Sequence, residues 1–504
     1  MEERIRNNIV VSVDCGTTHS GVSWMHPEAE DDVQSVDKWP GRPPADTLTR
    51  VPTRIAYQDE NDSLDKTKAW GYEVGAEHVA ASWTKLLLEP GVEEEIVENS
   101  DNKGWVASVG IFTRPGGRDP TRIIQDFLQL LRKHAEAQIR KKYKELGYAI
   151  LPFVYVYTVP ATWSDTAITA LKQAASKAGC RGIGGSIYPL IISEPEAALT
   201  TMINDPRSGI KAGDGVAICD CGGGTLCPIP VHFHGGSMEI DRDFYTAASK
   251  GLIRRFSQLK RSETSPTSTL MIGFENAKRE FEGTVGPDLQ ELTYTRRGNV
   301  YSFKFTSVDM LRLQAPVVTK ICSVLEDIIS QGHRKSGAPI VKHIYVSGAM
   351  ARSIYLRSAI DKLFAESQIE THYPSSPQNA VAEGAALWGY NRLRLNTPYP
   401  FGEPIGEKQR TVFPCRVSQD LPFSVIKIYD SDKSNPPQST DPKKGVRNIG
   451  RLLCDFTEAL RTSKVSIGEI VQIEVSFIIK DGMIHVKAES RGVLFGEMEL
   501  KCFY

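Results

Sequence analysis

A chain of 504 residues, 40% of them apolar and 24% charged, is too long for one hydrophobic core and reads as a globular protein of two or three domains. Lys and Arg total 60 against 61 Asp and Glu, so there is no broad positive field to gather nucleic acid or an anionic membrane, and small ligands or proteins are the expected partners. The nine cysteines are an odd number and mostly scattered singly, which fits a reducing compartment better than a disulfide scaffold.

In chain order, the first expected element is a hairpin: IVVSVDCGTTHSGVSW, from Ile9, reads as an apolar strand, an Asp-Cys-Gly turn and a second strand. Its opening apolar run is too short for a signal-peptide core. The stretch YAILPFVYVYTVP from Tyr148 falls short of the roughly 20 residues that span a bilayer, so a cytosolic or nuclear protein without an anchor is expected. From Thr166 to Ala178, the residues Ala167, Ala170, Leu171, Ala174, Ala175 and Ala178 share one face of a helix. GVAICDCGGGTLCPIPVHF, from Gly215, then repeats the pattern met at Ile9. A repeat of this kind, with strands alternating with helices, predicts a duplicated α/β architecture.

The expected boundaries are a first lobe over 8–213, a second over 214–396 ending in the helix AVAEGAALWGYNRL, and a linker plus small β domain over 397–504. NTPYPFGEPIGEKQ is Pro- and Gly-rich and reads as the linker. In VQIEVSFIIKDGMIHVKAES, from Val471, two alternating apolar runs flank Lys480-Asp481-Gly482, a strong hairpin signal. The polar stretch DSDKSNPPQSTDPKKG, from Asp430, reads as a mobile loop.

A strand ending in Asp and followed by GTT or GGGT sets a carboxylate at the strand tip beside free backbone N–H groups, and glycine lets the backbone approach phosphate oxygens. The carboxylates would repel phosphate, so their expected task is to hold Mg²⁺ through its water shell. Either turn alone is commonplace. Two of them opening similar units point to a clamp on one nucleotide.

These motifs, taken together, resemble the heat-shock protein 70 family of the actin-like ATPase superfamily. DCGTTHSGVSW is similar to the family's first phosphate loop and DCGGGT to its second; FVYVYTVPATWSDTAITALKQAASKAG leads to ISEPEAA as its connecting motif, and HIYVSGAMARSIYLRSAI, from His343, is similar to its adenosine motif. The resemblance implies a two-lobed, ribonuclease H-like α/β fold, ATP or ADP with Mg²⁺ as ligands, and a protein partner whose binding follows the nucleotide. Asp14 and Asp220 would organise the metal through water, and Glu194 would stand beside it. Gly16, Thr17, Thr18, Gly222, Gly223, Gly224 and Thr225 would line the phosphates. Lys85, in SWTKLLLEP, resembles the lysine that reaches the γ-phosphate, where fixed positive charge stabilises phosphoryl transfer. Glu275, Lys278 and Arg279 share a helix face and resemble the adenosine-gripping triplet, although an ordinary Glu275 to Arg279 ion pair explains the spacing equally well. Gly348 and Ala349 fit a close backbone approach to the nucleotide.

The sequence also departs from the family. GGGT is followed by Leu226-Cys227-Pro228 where the family has an apolar residue and an acid, and Pro228 and Pro230 withdraw backbone donors. No Gly-rich loop is recognisable in TAASKGLIRRFSQLK from Thr246, Ser347 replaces the first of two glycines, and one additional residue precedes Tyr355. These departures predict weak or altered nucleotide binding. The last expected strand is followed by no helical lid, which puts client trapping in doubt. Three functions therefore stand at this point: a slowly hydrolysing chaperone-like ATPase, a nucleotide-binding scaffold that has lost hydrolysis, and a small-molecule kinase of the same superfamily. Cys219, Cys221, Cys227, His232 and His234 also invite a zinc reading, against which buried small cysteines in a β core are the simpler account.

Overall fold

The apolar run from Ile9 folds as a fully buried strand, Ile9–Cys15 (β1), and the Asp-Cys-Gly turn returns the chain through His19–Met25 (β2). A computed structural model describes residues 8–27, 33–42, 49–75, 77–92, 114–146, 151–183, 186–211, 214–222, 226–227, 237–253, 256–264, 268–286, 289–296, 299–394, 408–416, 423–431, 446–456, 459, 470–480, 483–490 and 493–501. Short strands Gln34–Ser35 (β3) and Val51–Pro52 (β4) both pair with β2. Arg54–Tyr57 (β5), Lys68–Trp70 (β6) and Ala80–Ser82 (β7) make a separate three-stranded sheet, in the order β6-β5-β7.

The helix Pro120–Leu146 (α1) leads toward Phe153–Val159 (β8), which pairs parallel with β1. Asp165–Lys177 (α2) follows, capped by Ser164, whose side chain accepts from the Ala167 amide; Ala167, Leu171, Ala174 and Ala175 are buried on the expected face. Leu190–Ser193 (β9) adds a further parallel strand, giving the sheet order β3-β2-β1-β8-β9. The Ser-x-x-Glu of ISEPEAA forms a capping box, Ser193 with Glu196, so Glu194–Ile203 (α3) begins at Glu194.

Gly215–Cys221 (β10) pairs antiparallel with Leu226–Cys227 (β11), then parallel with Val341–Ser347 (β14), which pairs parallel with Glu370–His372 (β15). Between β11 and β14 come Ser237–Ala247 (α4), Thr269–Glu280 (α5), the hairpin Leu289–Arg296 (β12) with Asn299–Thr306 (β13), and Ser307–Ser336 (α6). The four-stranded sheet thus runs β11-β10-β14-β15. On each sheet, the strand ending in Asp-Cys has an antiparallel hairpin partner on one side and parallel strands on the other. Each sheet also has its own buried cluster: Val11, Val13, Phe127, Tyr157 and Leu171 with the first, and Cys219, Phe244, Phe274, Ile321 and Val346 with the second.

After Ile354–Phe364 (α7), the helix Ala380–Arg394 (α8) packs on the first sheet, with Gly389 lying against Val10 and Val156. The Ser12 hydroxyl of β1 donates to the Ala382 carbonyl at 2.6 Å. A Cβ at Gly384 would meet the Ala197 carbonyl at 1.8 Å, so only glycine allows α8 to lie this close to α3.

The chain divides into two units, the first comprising Glu3–Gly209 and Asp214–Tyr390, the second Ile210–Gly213 and Asn391–Tyr504. In the second, Lys408–Arg416 (β16), Ile470–Lys480 (β19), Met483–Ser490 (β20) and Val493–Lys501 (β21) form an antiparallel sheet in that order, and Phe423–Ser431 (β17) pairs with Val446–Asp455 (β18). Val471, Ile473 and Val475 are buried at alternate positions, as the apolar pattern predicts. Lys480 pairs with Met483, the register of the expected hairpin; Asp481 and Gly482 themselves, the expected linker up to 407 and most of the expected loop from Asp430 lie outside the described residues, whereas the linker's last two residues, Lys408 and Gln409, open β16. No helix among the described residues is long and apolar enough to cross a membrane.

Candidate functional site

The C-terminal ends of β1 and β10, and the N-terminus of α3, bring three carboxylates together. Asp14 is 6% exposed, Glu194 7% and Asp220 9%. Ionised groups at such depth need partners. Asp14 has three from distant segments: the Arg50 guanidinium donates to Oδ2 at 2.7 Å, Thr158 of β8 donates to Oδ1 at 2.8 Å, and Lys85 acts through its charge. Burial raises the Asp14 pKa, but Arg50 and Lys85 outweigh it and hold the group below the usual carboxylate value. Arg50 is fixed in turn, donating to the carbonyls of Gln378 at 2.5 Å and His19 at 2.7 Å.

Lys85 is 4% exposed and donates to Glu194 Oε1 at 2.7 Å, with its ammonium 5.3 Å from the centre of the Trp163 ring. Burial disfavours its charge, yet Glu194 and Asp14 more than offset this, and the ammonium stays protonated. Burial and the Asp14 charge push Glu194 up against the pull of Lys85. Lys85 sits in a tight turn before a single 3₁₀ turn, Leu86–Leu88. Two residues earlier, Trp83 has φ 63°, the one non-glycine residue with positive φ among the described residues. Such a backbone costs about 1–2 kcal/mol, and strain of this kind concentrates where a side chain must be aimed.

Asp220 is held differently. Ser347 of β14 donates to its Oδ1 at 3.0 Å, while burial and the like charges of Glu194 and Asp14 push its pKa up to about 7. Next to it, Gly348 has φ 89°, and a Cβ there would lie 2.3 Å from the Cys221 carbonyl and 2.8 Å from Asp220 Oδ1. Glycine is required at this position on both counts. The Gly348 amide donates to Pro377 at 2.8 Å, and Ala349 begins a 3₁₀ turn.

Gly16, Thr17 and Thr18 form the turn joining β1 to β2, with the Gly16 and Thr18 carbonyls bonded to the Thr53 hydroxyl and amide at 2.8 Å each. Gly222 directly follows β10, whereas Gly223, Gly224, Thr225, Pro228, Pro230, His232 and His234 lie outside the described residues. Cys219 and Cys221 are buried in the second core with their sulfurs 3.3 Å apart. Their mutual contact and burial push the Cys221 thiol well up, and both side chains pack within the second core.

Glu275, Lys278 and Arg279 do share a face of α5, where they form their own ion cluster. Lys278 pairs with Asp241 of α4 at 2.8 Å and with Glu275 at 2.5 Å, and Arg279 pairs with Glu275 at 3.0 Å. Burial pushes Asp241 up to about 6 despite Lys278, while Lys278 and Arg279 overcome burial to hold Glu275 low.

Sequence reasoning missed Arg50, Thr158, Ser347 as a donor, and Asp241. Thr158 carried a signal, a polar residue near the carboxyl end of an otherwise apolar parallel strand, where ligands gather in α/β sheets. Arg50 carried none, since its partner lies on another element.

Buried charges gathered at the carboxyl ends of parallel strands, beside a helix N-terminus, define a ligand-binding protein of mixed α/β structure. The chain matches no family model. It is similar to Heat shock 70 kDa protein 12A of Homo sapiens, 22% identical with 92% of this chain and 87% of the relative covered. It is likewise similar to Heat shock 70 kDa protein 12B of Homo sapiens (21%, covering 76% and 68%) and Chaperone protein DnaK of Thermosipho melanesiensis (23%, covering 97% and 79%). Similarity at 21–23% identity over most of the chain supports membership of the heat-shock protein 70 family.

Proposed function

We propose that this protein binds Mg²⁺-ATP between two duplicated lobes of an actin-like fold, residues 8–213 and 214–396, and that the nucleotide state alters its binding of a protein partner. One observation carries the reading: Asp14, Lys85, Glu194 and Asp220, far apart in sequence, meet as one buried cluster at equivalent ends of two similar sheets. The donor set fits a divalent cation with a phosphate ligand. Three carboxylates exceed the two cations, Arg50 and Lys85, and burial together with the like charges of Glu194 and Asp14 raises the pKa of Asp220. Two buried atoms of the Asp14 surroundings, Arg50 Nε and Gln378 Oε1, have no hydrogen-bond partner among the described residues and could serve a polar ligand.

In this reading, Asp14 and Asp220 orient the water shell of the metal, and the turn amides at Gly16–Thr18 and beyond Gly222 take the phosphates. Gly348–Ala349 and the triplet Glu275, Lys278 and Arg279 hold the adenosine. Bound Mg²⁺ would supply charge neutralisation at the phosphates. Lys85, kept protonated by Glu194, would stabilise negative charge developing on the transferred phosphoryl group.

Calorimetry of the full chain with ATP, with and without Mg²⁺, tests the reading. Binding that depends on Mg²⁺ and is lost in Asp14→Ala is expected, and unchanged binding in that variant would overturn it. A second reading, binding without hydrolysis, is favoured by the Arg50–Asp14 ion pair, which engages a carboxylate that water activation would use. Turnover measured separately from binding decides between them.

A further inference from the structure

The second sheet has another cluster of ligating side chains at the opposite end of β14 from Ser347. In the parallel β14–β15 register His343 faces Glu370 and Tyr345 faces His372, so His343, Glu370 and His372 share one face at the outer pair of strands. His343 Nδ1 lies 3.0 Å from His372 Nε2 and 3.7 Å from Glu370 Oε2, and the last two atoms are 3.8 Å apart. A tetrahedral zinc ion with ligands at about 2.0–2.1 Å keeps its donors about 3.3 Å apart, so this triangle is close to one face of such a site.

The other nitrogen of His343, Nε2, lies 3.4 Å from Asp214 Oδ2. A proton held there for the carboxylate leaves the Nδ1 lone pair facing the other two donors. This is the arrangement by which a carboxylate orients a metal-bound imidazole. Burial follows the same order: His343 is buried, His372 half-buried and Glu370 exposed, which leaves one side of the triangle open to solvent.

We infer that His343, His372 and Glu370 form a site for a zinc-class divalent cation, with Asp214 orienting His343 and water completing the coordination. Two imidazoles with one carboxylate suit zinc, whereas Mg²⁺ and Ca²⁺ take oxygen ligands. The bound ion would clip the three-residue strand β15 to β14. The site uses none of the residues assigned to ATP and stands whether or not that reading holds.

The test titrates zinc into the metal-stripped full chain against a chromophoric chelator, with cobalt as a spectroscopic substitute. One zinc per chain is expected, weakened about 100-fold in His372→Ala and roughly 10- to 100-fold in Asp214→Asn. Zinc should raise the unfolding temperature of the parent and not of His372→Ala. The cobalt spectrum should lack a thiolate charge-transfer band. His372 and Glu370 are the less buried ligands, so Glu370→Ala provides a second variant if His372→Ala fails to fold. Absence of zinc binding would reduce the two imidazoles to a hydrogen-bonded pair, and binding unchanged in both variants, or a thiolate band, would move the metal elsewhere; each overturns the inference.

Discussion

Asp14 and Asp220 end strands of the same pattern, each followed by a buried cysteine, and each strand lies between a hairpin partner and a parallel neighbour. Their surroundings differ in sign. Asp14 is gripped by Arg50, Thr158 and the charge of Lys85, so it is ionised and held low. Asp220 has Ser347 as its donor, and burial with the like charges of Glu194 and Asp14 pushes its pKa up to about 7. Sequence similarity thus fixes the position of a carboxylate without fixing its charge state, because the charge state is set by residues that other elements deliver.

The sharpest way to break this comparison is to remove Arg50. Arg50→Ala leaves Asp14 buried without its guanidinium and should cost about 3–5 kcal/mol in urea unfolding, and a loss under about 1 kcal/mol would make the two hairpins electrostatically alike. Gly348→Ala comes next. With φ 89° and no room beside Cys221, it should cost roughly 2–3 kcal/mol and displace the Asp220 end of β10, read as a lower unfolding temperature with weaker ATP binding.

Neutralising each carboxylate at pH 8, without nucleotide or metal, should give opposite signs. Asp14→Asn destabilises, because Arg50 loses its counter-charge. Asp220→Asn relieves like-charge repulsion, keeps an acceptor for Ser347, and should stabilise by on the order of 1 kcal/mol. Equal signs would end the distinction.

Glu383 of α8 separates burial from like charge, since burial alone lifts it to about 7 against a hydrogen bond from Ser35. Its folded pKa exceeds its unfolded value of 4.5, so its contribution is fully present below 4.5 and is lost as pH rises through 7. Glu383→Gln should therefore flatten stability between pH 5 and 8 by on the order of 1 kcal/mol, measured by urea unfolding at stepped pH.

Much of the local structure was legible. The alternation of Val471, Ile473 and Val475 and the alanine face of α2 are short-range consequences of side-chain periodicity, which a sequence displays directly. The spacing of Glu275, Lys278 and Arg279 gave a shared face and the Glu275–Arg279 ion pair, whereas Asp241, which completes the cluster from another helix, was not legible. The return of α8 to the first sheet, through glycines whose neighbours are remote in sequence, was not legible at all.

By itself, then, the sequence determined two strands ending in Asp-Cys-Gly and the kinship they imply with the heat-shock protein 70 family. Only the tertiary structure decided that Arg50 would neutralise one aspartate and leave the other among like charges, and that His343 would meet His372 and Glu370. Electrostatic energy depends on distances of a few ångströms between groups far apart along the chain, and those distances exist only once the sheets are assembled.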